Sequence, residues 1–285
     1  MYKRILYRTP ALADLRKDHA FVDMHIHTKY SHDSLTNLQH LLKKASELKI
    51  GLAITDHCRA EGAIEACKQK KVLVIPGIEV NSRENKEILL YFYSPRDLWD
   101  FYSKNIEKEL LSLKHHRTSM TKTVAAFKLG LGMNEIVELA DKYNCVKSIP
   151  HPFTFPRRRS HRFFTNYKRR KALQKIDAIE VLNASMLPRM NKLATNWAVK
   201  EDKAFTGGSD AHIISEVGHA LVACKTDTVE GFLDYIRKKK NFVMGREIKF
   251  SVAAQNFRKS MRVKKNKSLE FDADYFSQEN NDWND

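Results

Sequence analysis

A chain of 285 residues with 42% hydrophobic and 29% charged residues can bury one substantial core, and that balance is the one expected of a globular domain. No apolar run approaches the roughly 20 residues that span a bilayer, and the opening stretch MYKRILYRTPALADLRKD lacks a long apolar segment and a cleavage-like site, so neither a signal peptide nor a membrane partner is expected. The formal net charge of +16 favours anionic partners instead, whether phosphorylated metabolites, nucleic acid or an anionic surface.

Residues 1–20 read as a lead-in with a short helix, and Phe21 to His27 as a strand in which His25 and His27 alternate. Leu38, Leu41, Leu42, Ala45 and Leu48 recur at helical spacing and predict a helix from Thr36 to Lys49 with Thr36 as its N-cap. GLAITDH, ending at His57, is a short apolar run closed by a polar pair, and a helix is expected from Glu61 to Lys70. KVLVIPGIEV repeats the arrangement with Glu79 near its end, and EILLYFY from Glu87 to Tyr93 is a further strand. A long helical region follows from Arg96 to about Tyr143, broken near Gly130 and Gly132.

The strand predicted from Val146 to Phe153 carries SIPHPF, and the run after it holds eight Lys or Arg and no acid between Arg157 and Lys171. Phe163, Phe164 and Tyr167 interleave with those charges, a pattern that suits nucleotides. Ala178 to Ala184 reads as a strand, Pro188 to Lys200 as a helix, and KAFTGGSDAH as a strand ending in polar residues at His212. A strand from Ala220 to Lys225 and an amphipathic helix from Thr228 to Lys240 complete the series. Residues 1–250 are therefore expected to form one barrel-like domain with an insertion at about 96–143. Residues 251–285 are expected to form a basic-then-acidic tail, read as mobile.

Alternating apolar strands and helices point to a parallel β/α architecture. His25, His27, His57, Glu79, His151, Asp210 and His212 all fall at or near strand C-terminal ends, the rim where β/α barrels gather their site residues. Side chains at i and i+2 of a strand share a face, so His25 and His27 can address one point, with Asp33 reaching a neighbouring point from the loop. Imidazoles and carboxylates in this number suit two or three divalent ions with a bridging carboxylate. Such a cluster generates hydroxide at neutral pH and clamps phosphate oxygens. Cys58, Cys67, Cys145 and Cys224 form no close pair, which fits reduced thiols in a cytoplasm, and Cys58 reads as a small buried residue.

The ordered motifs DMHIHTKYSHD, ITDH, PGIE, PHP and GGSDAH resemble the PHP family, the polymerase and histidinol phosphatase group of metal-dependent phosphoesterases. The resemblance spans Asp23 to His212 and implies a distorted (β/α)7 barrel with a helical insertion and a trinuclear site holding zinc, manganese or iron. It further implies that His25, His27, Glu79 and Asp210 hold one ion, that Glu79 bridges to a second also held by His151, and that Asp33, His57 and His212 hold a third. His57, His151 and Asp210 are the expected catalytic residues, and Arg157, Arg158 and Arg59 the expected phosphate contacts. One departure stands out: the family pattern places a histidine where this chain has Leu89, which cannot bind a metal, while Glu87 lies two residues earlier on the same strand face. Two firmly held ions and a loosely held third are expected as a result.

The implied activity is hydrolysis of a phosphorylated small molecule or nucleotide. The alternatives are a nuclease trimming nucleic-acid ends at the same site and a non-catalytic binding module.

Overall fold

In the computed structural model, which describes residues 4–8, 17–115, 129–154, 159–166 and 169–247, the predicted apolar runs become strands. Together with two strands not expected from the sequence, β1 (Ile5–Leu6) and β10 (Phe242–Gly245), they are β2 (Ala20–Ile26), β3 (Gly51–Ile54), β4 (Val74–Asn81), β5 (Glu87–Phe92), β6 (Cys145–Ile149), β7 (Ala178–Asn183), β8 (Ala204–Gly208) and β9 (Ala220–Cys224). Among the described residues these form one curled sheet in the order β1-β10-β9-β2-β3-β4-β5-β6-β7-β8.

The pairs β2–β3, β3–β4, β6–β7 and β7–β8 are parallel, as the alternation of strands and helices predicts. β5 departs from that parallel pattern, because it runs antiparallel to both β4 and β6. The reason is the connection. Only residues 82–86 separate β4 from β5, whereas a parallel pair needs a crossover of about a dozen residues. Reversal has a consequence for the rim: the start of β5 lies where β4 ends, with Asn81 opposite Glu87 and Glu79 opposite Leu89.

The sheet closes where the chain leaving β8 returns against β2. The Asp210 amide donates to the His25 carbonyl at 2.8 Å, the His27 amide donates to the Ala211 carbonyl at 3.0 Å, and Ile26 pairs with Ala211 in the parallel sense. β2 to β8 thus make a seven-stranded barrel. It is distorted because the N-terminal half of β2 pairs instead with antiparallel β9, from Ala20 opposite Cys224 to Val22 opposite Val222. Gly208 permits the closure: a Cβ there would lie 2.5 Å from the His25 amide nitrogen.

Helices cover the outside. In α1 (Leu38–Leu48) the Asn37 side chain, not that of Thr36, accepts from the Gln39 and His40 amides, and this corrects the predicted cap. The Thr36 hydroxyl donates to the His212 carbonyl at 3.0 Å instead, tying the helix start to the rim. α2 (Glu61–Ala66) stops short of Lys70 because the Gln69 side chain folds the following turn, donating to the Ala66 and Val72 carbonyls and accepting from the Lys71 and Val72 amides. The long helical region comprises α3 (Pro95–Phe101), a π-helical stretch at Tyr102–Glu107, α4 (Lys108–His115) and, beyond residues 116–128, α5 (Met133–Ala140). α6 (Ser160–Phe164), α7 (Arg170–Lys175), α8 (Pro188–Lys200) and α9 (Val229–Arg237) follow. The expected tail, residues 251–285, lies outside the described residues. No helix among the described residues is long and apolar enough to cross a membrane.

Candidate metal centre

Alternation along β2 turns His25 and His27 into the barrel mouth, and both are fully buried. His25 Nε2 lies 3.5 Å from Glu79 Oε2 and 3.6 Å from Asp210 Oδ1, and His27 Nε2 lies 3.5 Å and 3.3 Å from the same two oxygens. The loop after β3 runs along β4, where the Cys58 amide donates to the Glu79 carbonyl at 2.7 Å, and this sets His57 Nδ1 2.9 Å from Glu79 Oε2. On the other side, Asp33 Oδ2 is 3.4 Å from His57 Nε2 and 3.1 Å from His212 Nε2. His151, after β6, places Nε2 3.4 Å from Glu79 Oε1. The structure therefore brings together all eight residues expected from the sequence, with Glu79 in the middle.

Donor atoms sort into overlapping groups, each close enough to share an ion: His27, Asp33, His57 and His212; His25, His27 and Asp210; His25, Glu79 and His151; and His57, Glu79 and Glu87. His25 Nε2, His27 Nε2, His57 Nδ1 and both Glu79 oxygens are buried with no hydrogen bond among the described residues. Buried polar atoms ordinarily find partners, and leaving one unsatisfied costs about 1–3 kcal/mol. Imidazole nitrogens and carboxylate oxygens left in this state and aimed at common points fit divalent cations.

Electrostatics agree with that fit. Burial raises the Glu79 carboxyl, but the His57 and His25 imidazoles overcome it and hold the group well below the usual carboxylate range. Burial is likewise outweighed at Asp33, by His212 and His57, and at Asp210, by His25 and His27, so both stay low. Burial disfavours a charged His57, yet Asp33 and Glu79 lift it to about 9; against the same opposition Asp33 lifts His212 to about 8. His27 goes the other way, driven to about 3 by burial and by the neighbouring His212 and His57. The carboxylates thus stay ionised beside protons that an incoming cation displaces.

Three of the site loops hold non-glycine residues at positive φ: Cys58 at 51°, His151 at 26° and Asp210 at 55°. Such backbone costs on the order of 1–3 kcal/mol each and persists only where its surroundings impose it. Burial pushes the Cys58 thiol up to about 12, which suits an inert buried residue.

Sequence reasoning missed Glu180. Its Oε1 lies 3.0 Å from His25 Nδ1, and its Oε2 accepts from the His151 amide at 2.8 Å and from Asn183 Nδ2 at 2.9 Å. The available signal was a lone carboxylate inside the apolar run AIEVLNA. Asp23, also buried, accepts from the Ser209 amide and hydroxyl and from the Gly218 amide, bracing the closure of the barrel. His32 sits at the edge, with Nε2 3.9 Å from Asp33 Oδ2. Of the expected phosphate contacts, Arg157 and Arg158 lie outside the described residues. Arg59 Nη1 donates to the Tyr102 hydroxyl at 3.0 Å and to Glu61 Oε1 at 3.3 Å.

A family model described as the PHP domain matches residues 23–270. The uncharacterized protein MJ0417 of Methanocaldococcus jannaschii is 28% identical over 204 residues, 70% of this chain and 69% of its own length. Among solved structures, a candidate metal-dependent phosphoesterase from Bifidobacterium adolescentis aligns over 81% of this chain and 98% of its own, with a TM-score of 0.52 and 15% identity. The lesion-specific endonuclease Q of Pyrococcus furiosus aligns over 79% of this chain and 57% of its own, with a TM-score of 0.58 and 19% identity. At those identities the two structures share the fold.

Proposed function

Because the chain belongs to the PHP domain family, we propose that it is a metal-dependent phosphoester hydrolase acting on a phosphorylated small molecule or nucleotide. The observation that carries this reading is the convergence of five imidazoles and three carboxylates on the two oxygens of buried Glu79 and their immediate neighbours. In it, His25, His27, Glu79 and Asp210 hold one ion, Glu79 and His151 a second, and Asp33, His57 and His212 a third. Manganese, zinc or iron would supply Lewis acidity toward water and toward phosphate oxygens there.

The chain's own residues do the rest. Ionised Glu79, Asp33 and Asp210 set the charge of the site, and His57, His151 and Asp210 line the space where a phosphate would react. The buried apolar side chain of Leu89, directly opposite Glu79, lowers the local dielectric there and strengthens the charge interactions beside it. Arg157, Arg158 and Arg59 are the candidate phosphate contacts; Arg59 would trade its Glu61 partner for the substrate. A cytoplasmic setting fits the cysteines, all four of which are free.

The test is phosphate release by the purified chain, with and without added manganese, from histidinol phosphate, mononucleotides, nucleoside 3′,5′-bisphosphates and short 5′-phosphorylated oligonucleotides. Manganese-dependent release that falls at least about a hundredfold in His57→Ala is expected. A metal-loaded, folded protein silent across the panel would replace the hydrolase with a non-catalytic binding module. A nuclease is the second reading, favoured by the net charge of +16 and the basic run from Arg157 to Lys171. Preference for the oligonucleotides would select it.

A further inference from the structure

The position between Glu79 and His151 is the poorest of the three in donors, and β5 is the strand that faces it. Leu89, directly opposite Glu79, is fully buried and offers no donor. Since β5 runs antiparallel, its first residue, not its last, reaches the rim. That residue is Glu87, only 2% exposed and on the same face as Leu89. Its Oε2 lies 3.7 Å from His151 Nε2, and its carboxylate falls within 4.8 Å of donor atoms on His57 and Glu79. Donors about 2.1 Å from a tetrahedral ion lie about 3.4 Å apart. The Glu79–His151 separation is 3.4 Å and the His151–Glu87 separation 3.7 Å, so His151 stands near ligand spacing from both carboxylates.

We propose that Glu87 is a metal ligand in this protein, completing with Glu79 and His151 a position made of two carboxylates and one imidazole. The donor set dictates its selectivity. The Asp33, His57, His212 position is rich in imidazole and suits zinc, whereas two carboxylates favour a harder ion such as manganese. One strand reversal thus gives the centre a position that prefers a different metal from its neighbour, and this builds on the metal-centre reading above.

The experiment is titration of the metal-free full chain with manganese and with zinc, read as ion stoichiometry by elemental analysis and as affinity by calorimetry. Glu87→Gln and Glu87→His are compared with the wild type, and thermal melts check that each is folded. The wild type should take up a third manganese more weakly than the first two. Glu87→Gln should weaken that third step alone, by more than the about 10–100-fold that losing an outer hydrogen-bond partner of a metal ligand costs. Glu87→His should restore the third ion and turn its preference to zinc, which keeps the idea testable if the glutamine variant does not fold. A third manganese step unchanged in Glu87→Gln, or a histidine variant with no gain in zinc preference, would overturn the assignment. Ion uptake is separate from turnover: three ions bound by a chain that releases no phosphate sinks the hydrolase and leaves Glu87 standing. Phosphate release with unaltered uptake in Glu87→Gln does the opposite.

Discussion

Glu180 is the residue whose influence most exceeds its visibility. By accepting from His25 Nδ1 at 3.0 Å it fixes the tautomer and ring plane, which leaves Nε2 facing Glu79 and Asp210; through its other oxygen it also holds the His151 amide at 2.8 Å. Glu180→Gln keeps the shape but removes the charge that strengthens the first of these bonds. Manganese affinity should fall about 10–100-fold while the melting temperature stays within a few degrees. Calorimetric titration beside a thermal melt checks this, and an affinity within twofold of wild type would reduce Glu180 to packing. The expected ligands were legible because imidazole and carboxylate side chains stand where apolar strands end, a pattern the chain repeats from His25 to His212. Glu180 was not, since its partner is 155 residues away and nothing local announces it.

At the level of elements, the exit of β8 decides whether the barrel closes. Gly208 lets that segment approach β2 closely enough for the Asp210 amide to reach the His25 carbonyl. Gly208→Ala pushes a methyl group against His25 backbone and side chain, an overpacking of about 1–3 kcal/mol, and displaces Asp210 and His25 from each other. Melting temperature and metal affinity should therefore fall together. A variant that melts earlier but binds metal normally would show that the closure is not what places Asp210. The GGSDAH motif was readable as a strand end, but the need for its second glycine was not, because it depends on a strand met far earlier in the chain. The direction of β5 was hidden for another reason. EILLYFY is apolar on both faces, so its periodicity is the same whichever way it runs, and only the short connection from Asn81 betrays the reversal. Helix ends depended on single side chains: Asn37 displaced Thr36 as cap, and Gln69 ended α2 early.

For the whole molecule, charge is the property that separates the two substrate classes. A net charge of +16 on 285 residues attracts any polyanion, so bare affinity for nucleic acid would say little. The salt dependence says more. Each phosphate of a single strand neutralised by Lys or Arg releases condensed counterions and contributes about −0.7 to the slope of log affinity against log salt. An end-trimming nuclease that grips four or more phosphates should thus show a slope of about −3 or steeper for a 5′-phosphorylated oligonucleotide. An enzyme that holds one phosphate at the metal centre should show nearly the same shallow slope for the oligonucleotide and for a mononucleotide. The measurement is fluorescence anisotropy across a salt series with the full chain, metal-loaded and made inactive by His57→Ala so that ligand survives. A shallow slope with the oligonucleotide would remove the nuclease reading even if the complex were tight at low salt. A steep one would assign the +16 charge to binding rather than to general solubility.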